Sequence, residues 1–561
     1  MSHFSLPALF DWHNHPSLDY IVSQCYSFEE YDSNEAIESF IIDNSFRAKR
    51  GQVDLYFWAN LSEFSIDINR KDISPAVFVD ISGHAAILND KAKSIFIDEF
   101  PAICLNSSNF YWCEQHIEEL FQFYFAVCRK MKAPNPVFSV DSLTIYLNGL
   151  KERGIYGCDE LYLVDWEFVE TYNSYIRNEL SKIVDHSRIQ DKDLPFIISN
   201  MYMGEKLYNE KIVPFGDSIK KLYPYSSFGI KVFLDGVIEN GTACFSQYPK
   251  HIPFVPDQYD PLPPISKQPS LSISCKEILR IIDKCLTNSI PLSVHCIGNG
   301  ASSVFVSCVE AIYSKSAHSL REKVFLSVQN IHNPKFSPKQ RFIMKFKELS
   351  STISHLGVDY SPPPLLRMEH CMFVSPVDAW HIMMDLGIVM CMQPNFSHDA
   401  SRMRERERKI IQEKGEKEIS AALPEKVKSS DLESPQQKYT PKSRGFVPSF
   451  RECNPIGDII RHCIKRRKET IGKSDSHYLD TIEQIPLIFG TDGMPLGAIS
   501  FVSGALCPPL ESQKFSIEDL VIGTGSNPKD IIIYDSTSDS TSSRPEQTMF
   551  EVVDESVWEI K

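Results

Sequence analysis

The sequence predicts an α/β protein, a closed (β/α)8 barrel of the TIM type with an inserted subdomain and a reduced β appendage. Three observations predict it. From about residue 150 onward, short apolar runs alternate with helix-length amphipathic stretches. Eight such runs can be placed along the chain. Residues able to bind a metal fall at the ends of several of them.

Taken in order, Leu9–His13 reads as the first strand, 154–164 as the second and Leu194–Ser199 as the third. Phe228–Leu234 is the fourth, and Ile278, Leu279, Ile281, Ile282, Cys285 and Leu286 then recur at helical spacing. Pro291–His295 follows as the fifth. Leu365–His370 is the sixth, with a helix through Trp380 to Leu386 leading to the seventh, Ile388–Gln393. The eighth, Ile485–Phe489, runs into Gly490, Thr491 and Asp492.

Two stretches break the repeat within a barrel unit read as residues 1–525. Residues 30–145, with β-rich segments such as Ala76–Val79, suggest an inserted subdomain over the barrel mouth. Residues 400–475 open with an alternating run of charges, Arg402–Lys409, and read as a solvated, partly mobile insertion on the catalytic face. Within them Lys465–Lys468 is basic, but Ile459, Ile460 and Ile464 mark one face of a helix, so a solvated helical face is favoured over an anion patch. Residues 526–561 are expected to form a small C-terminal β appendage.

The bulk numbers narrow the function. An apolar fraction of 42% and a charged fraction of 23% are those of a globular protein with a sizeable core. A formal charge of −15 argues against nucleic acid or an anionic membrane as partner, leaving a small-molecule substrate as the default and homo-oligomers open. Fifteen cysteines without a CxxC pair, several in apolar runs, read as free thiols in a reducing compartment. No signal-like N-terminus and no long apolar span is present, so a cytoplasmic protein is expected.

The chemistry begins with His13 and His15. Side chains two apart on a strand point the same way, so both imidazoles can grip one divalent ion. Alone, such a pair is as easily a surface turn. His295 and His370 each end an apolar strand, and Asp492 follows another, which brings all of them to the end of a barrel where catalytic groups sit. Asp492 supplies a carboxylate that can ligate metal or take a proton from its water. Lys231, inside the fourth strand, is expensive to bury and suggests a task if it points inward.

This order, HxH followed by Lys, His, His and Asp on the fourth, fifth, sixth and eighth strands, resembles the amidohydrolase superfamily. Finer segments resemble amidohydrolase family 3, the group of YtcJ-like hydrolases and N-substituted formamide deformylases. Lys231–Gly236 with Thr242 and Ala243 is similar to K-x-x-x-D-G...T-A, and His295–Ala301 to H-A-I-G-D-x-A. Arg367–His370 is similar to R-I-E-H, Gln393-Pro394 to Q-P, Phe489–Asp492 to G-S-D with its preceding residue, and Ser82–Asn89 to G-H-x-x-x-x-N.

The resemblance implies a metal-dependent hydrolase of non-peptide C–N bonds in amide, N-acyl or N-formyl compounds. It implies one or two divalent ions, zinc being expected, held by His13, His15, Lys231, His295, His370 and Asp492, with Lys231 carboxylated as a bridge. Asp492 would be the catalytic base, and His84 and Gln393 would face substrate. Two departures stand out. Only 12 residues precede His13, so the family's small β-sandwich is reduced, and Asn299 stands where the family has Asp, which bears on substrate orientation. The rival reading is a catalytically silent barrel that serves interaction or assembly.

Overall fold

A computed structural model describes residues 3–23, 25–28, 34–47, 53–59, 66–80, 86–99, 111–112, 122–123, 125–127, 129, 138–163, 165–183, 194–237, 243–244, 271–316, 319–350, 363–396, 453–471, 485–492, 498–506, 508, 512–534, 548–554 and 557–560. Arg402–Lys409 and His84 lie outside the described residues.

The apolar runs form one parallel eight-stranded sheet. Its strands are β1 (Leu9–Asn14), β2 (Ile155–Leu163), β3 (Ile197–Met203), β4 (Ser227–Phe233), β5 (Leu292–Cys296), β6 (Leu366–His370), β7 (Val389–Met392) and β8 (Leu487–Phe489). They pair in chain order from β1 to β8. The ends then meet, because the amides of Thr491 and Asp492 donate to the His13 carbonyl at 3.2 and 2.7 Å. That closure is a (β/α)8 barrel. Only glycine fits at 490, since a Cβ there would lie 2.3 Å from the Cβ of His13.

The third strand sits later than the Leu194–Ser199 run suggests. Asn200 would end an apolar run on inspection, yet it is buried and donates to Asp159 at 2.8 Å, so the strand continues through it to Met203.

Helices cover the sheet as their periodicity requires. Cys275–Asn288 shows the pattern. Ser274 caps its start by accepting from the Glu277 amide, Ile278, Ile281, Ile282, Cys285 and Leu286 are buried, and Ser289 closes it in the left-handed conformation (φ 55°). Phe10, Trp12, Val389, Cys391 and Ile488, from β1, β7 and β8, pack as a separate buried apolar cluster.

Between β1 and β2 lies a five-stranded sheet of Tyr26–Ser27, Asp54–Ala59, Ala76–Asp80, Ala86–Leu88 and Tyr111–Trp112. Alternation divides its residues. Leu55, Phe57, Val77 and Val79 join the main core, whereas Tyr56 and Phe78 stack with Phe28 in a separate small one. A second sheet joins the chain ends: His3–Leu6 pairs antiparallel with both Ile532–Tyr534 and Thr548–Asp554, and Val557–Ile560 adds the fourth strand. The N-terminal strand is too short to announce itself by pattern.

The isoleucines of the 400–475 stretch do mark a helix, Ile456–Ile471. Ile459, Ile460 and Cys463 are buried, and Lys465, Arg466 and Lys468 are exposed, with the Arg466 guanidinium 4.7 Å from the Trp380 ring. The described cysteines are free, all buried except the half-buried Cys25 and Cys244. Among the described residues no helix is long and apolar enough to cross a membrane.

Candidate metal centre

The C-terminal ends of the barrel strands gather the candidate ligands. His13 ends at the core of the site, fully buried, with its ring 4.7 Å from that of His370 and 5.2 Å from that of His15. His13 Nε2 lies 2.9 Å from Asp492 Oδ1 but out of hydrogen-bond alignment, and His15 Nε2 lies 3.1 Å from the same oxygen. The ligand atoms of His13, His370 and Asp492 fall within 4.8 Å of one another. Imidazole nitrogens and a carboxylate oxygen this close together suit a small divalent cation, which each can hold at about 2 Å.

Backbone shape places two of these groups. His370 and Asp492 both take positive φ, 69° and 61°, although neither is glycine. Such conformations cost free energy and persist where the surroundings over-determine them, which turns a strand-end side chain back over the barrel mouth. The Asp11 carboxylate steadies the same region, accepting from the amides of His13 (3.1 Å) and Thr491 (2.9 Å), the Asn14 side chain (2.9 Å) and the Thr491 hydroxyl.

Each remaining candidate has a definite place. Lys231 is buried, its Nζ makes no hydrogen bond among the described residues, and it lies 5.4 Å from the Phe233 ring. Burial pushes its amine below the usual lysine value, against the charges of Glu369 and Asp492. A buried amine with no partner is costly, and its neighbourhood fits a group that would engage it. His295 is buried with its ring 4.4 Å from that of His370, but Nε2 donates to the Gly236 carbonyl at 3.2 Å. Gln393 is also buried. Its Oε1 accepts from His370 Nδ1 at 3.1 Å, so it stands behind that histidine.

Electrostatics agree with metal ligation. Burial holds the His370 imidazole well below its usual pKa, in the neutral form that ligates. Burial also opposes charge on His15, but Asp492 and Glu160 outweigh it and raise the imidazole to about 9. The carboxylate field that favours a proton there favours a divalent cation for the same reason. Burial would raise Asp492, yet its contacts with the His13, His370 and His15 imidazoles hold it well below the carboxylate range.

Glu369 is the residue that sequence reasoning passed over. It is fully buried, and its Oε2 accepts from His13 Nδ1 at 2.6 Å, which fixes the tautomer and leaves Nε2 for the site. Arg367 Nε (2.9 Å) and Ser293 Oγ (2.7 Å) hold its other oxygen. The available signal was its position in Arg-x-Glu-His, where a carboxylate inside an apolar strand needs a buried partner. Asp235 likewise organises a loop: it accepts from the amides of Ile297 (3.0 Å), Gly298 (2.7 Å) and Cys244 (2.9 Å), and Gly298 is required because a Cβ would lie 2.0 Å from the Cys244 carbonyl oxygen.

No protein-family model matches this chain, and no curated protein does. Among solved structures it is similar to an uncharacterized metal-dependent hydrolase from Pyrococcus horikoshii OT3, with 14% identity and a TM-score of 0.50, covering 94% of this chain and 85% of that one. It is also similar to an uncharacterized metal-dependent hydrolase from Pyrococcus furiosus, with 14% identity, a TM-score of 0.46, and 94% and 86% covered. At such identity the likeness to the first of them is one of fold alone.

Proposed function

We propose that this protein is a metal-dependent hydrolase that cleaves a non-peptide C–N bond in a small amide, N-acyl or N-formyl compound. The observation that carries the reading is the convergence of His13, His370 and Asp492 within 4.8 Å, together with the buried Lys231 amine, which makes no hydrogen bond among the described residues. The Pyrococcus horikoshii neighbour is itself described as a metal-dependent hydrolase. The C–N specificity rests on the motifs that resemble amidohydrolase family 3.

In this reading His13, His15, His370 and Asp492 hold a divalent ion, zinc by expectation, with His295 and Lys231 able to serve a second, and Lys231 carboxylated in that case. A bound ion would supply Lewis acidity and acidify water toward neutral pH. Asp492 accepts the proton of the attacking water and returns it to the leaving nitrogen. Gln393 steadies His370, and His84 is assigned to the substrate side. The protein is taken to be cytoplasmic, with a small molecule as its partner.

Elemental analysis of the purified full chain tests this directly. Stoichiometric zinc, iron or manganese that is lost in His13→Ala supports the hydrolase, whereas metal-free active-fold protein sinks it in favour of a scaffold. A screen of N-acyl and N-formyl compounds with metal-replete protein then identifies the substrate.

A further inference from the structure

The middle of β2 carries two consecutive acids, Asp159 and Glu160, and both are fully buried. Consecutive residues of a regular strand point to opposite faces, so one of the two would ordinarily be spent outside the barrel. Here the pairing slips on both sides of Asp159. From Cys158 to Glu160 the strand takes two steps, while β1 takes three from Asp11 to Asn14 and β3 takes three from Ile198 to Met201. Irregularities of this kind re-aim side chains next to active sites.

The two acids reach the two histidines of the HxH pair by different routes. Glu160 Oε1 lies 3.8 Å from His15 Nδ1, on the side of the ring opposite the nitrogen that meets Asp492. It is held there by the amides of Ser17 (2.7 Å) and Tyr162 (3.0 Å). Asp159 Oδ2 accepts from Arg367 Nη1 at 2.6 Å, and its Oδ1 accepts from the amide (3.1 Å) and side chain (2.8 Å) of Asn200. Arg367 spans from Asp159 to Glu369 and to the Trp12 carbonyl (2.6 Å), and Glu369 holds His13 Nδ1.

We propose that Asp159 and Glu160 are positioning residues for the metal site, Glu160 orienting His15 directly and Asp159 orienting His13 through Arg367 and Glu369. The proposal rests on the metal-site reading above. Carboxylates behind ligating histidines fix the ring and raise its basicity, and their loss weakens metal binding by about 10- to 100-fold. A purely structural role would alter stability without altering the ligand field.

Cobalt(II) is the probe, because its visible bands report the geometry of its ligands. Full-length wild type should bind cobalt with visible ligand-field bands. Glu160→Gln should keep the wild-type far-UV dichroism yet bind cobalt about 10- to 100-fold more weakly with shifted bands, and Glu160→Asp should recover part of both. Asp159→Asn should act in the same direction. A folded Glu160→Gln with wild-type affinity and bands overturns the assignment, and it decides the matter if Asp159→Asn fails to fold. Wild type that takes up no cobalt overturns the metal reading itself, a separate outcome from either variant's.

Discussion

The barrel interior beneath the site and the five-stranded sheet inserted between β1 and β2 both hold buried side chains, and they differ in which contacts dominate. The sheet coheres by aromatic stacking: Tyr56 lies 5.3 Å from both Phe28 and Phe78, with rings within about a dozen degrees of parallel. The barrel interior instead buries Arg367, Asp159, Glu369 and Lys231, all at 2% exposure or less. A buried charge network is a poor way to gain stability, since apolar residues of the same volume do as well or better. The network ends on His13, whose Nδ1 donates to Glu369, so the contrast separates a region held by ring packing from a region held by buried charge pairs.

The sharpest break should come at Asp492. Asp492→Asn should lower turnover of the substrate found by screening by about 10²- to 10⁴-fold, with the fold unchanged by circular dichroism, because an amide cannot accept the proton. Undiminished turnover would remove Asp492 from the chemistry. Next, Arg367→Met should destabilise the protein by about 3–5 kcal/mol in urea unfolding, because it strands Asp159 and Glu369 without their shared partner.

Zinc should sharpen the comparison without mutation. At 100 times its dissociation constant it should stabilise the chain by about 2.7 kcal/mol. Hydrogen exchange should show added protection at the C-terminal ends of β1, β6 and β8, with Asp54–Ala59 and Ala76–Asp80 unchanged. Equal protection in both regions would mean that they unfold as one unit. In the inserted sheet, Phe78→Leu should cost about 1–3 kcal/mol in urea unfolding, because it removes a fully buried ring stacked on Tyr56.

The smallest effect is expected at the surface. Hydrogen bonds from Arg280, joined by Lys284, hold Glu205 at about 2, below its usual 4.5. Its contribution is therefore complete above pH 4.5 and is lost as pH falls toward 2. Solvent screening limits it to about 1 kcal/mol or less. Glu205→Gln should flatten that part of the acid-stability curve, and an unchanged curve would show that the pair is energetically silent.

The amino-acid sequence by itself determined the barrel and the residues that gather at the C-terminal ends of its strands. Eight apolar runs became eight parallel strands, and His13, His15, His370 and Asp492 met because strand ends in this topology share one face. Periodicity also marked the helix Ile456–Ile471 within a polar stretch. These features are local, and a local pattern suffices to read them.

Tertiary structure alone decided the partners. Arg367 meets Asp159 across 208 positions and His13 meets Glu369 across 356, and hydropathy says that such groups are buried without saying by whom they are satisfied. The register slip around Asp159 depends on two neighbouring strands, and the strand His3–Leu6 exists because segments more than 500 residues away pair with it. The positive φ of His370 and Asp492 is likewise not written in the local sequence, since such residues take that conformation only occasionally. The side chains that gather at the strand ends could thus be named from the sequence, while the buried charges that contact them became visible only when the barrel closed.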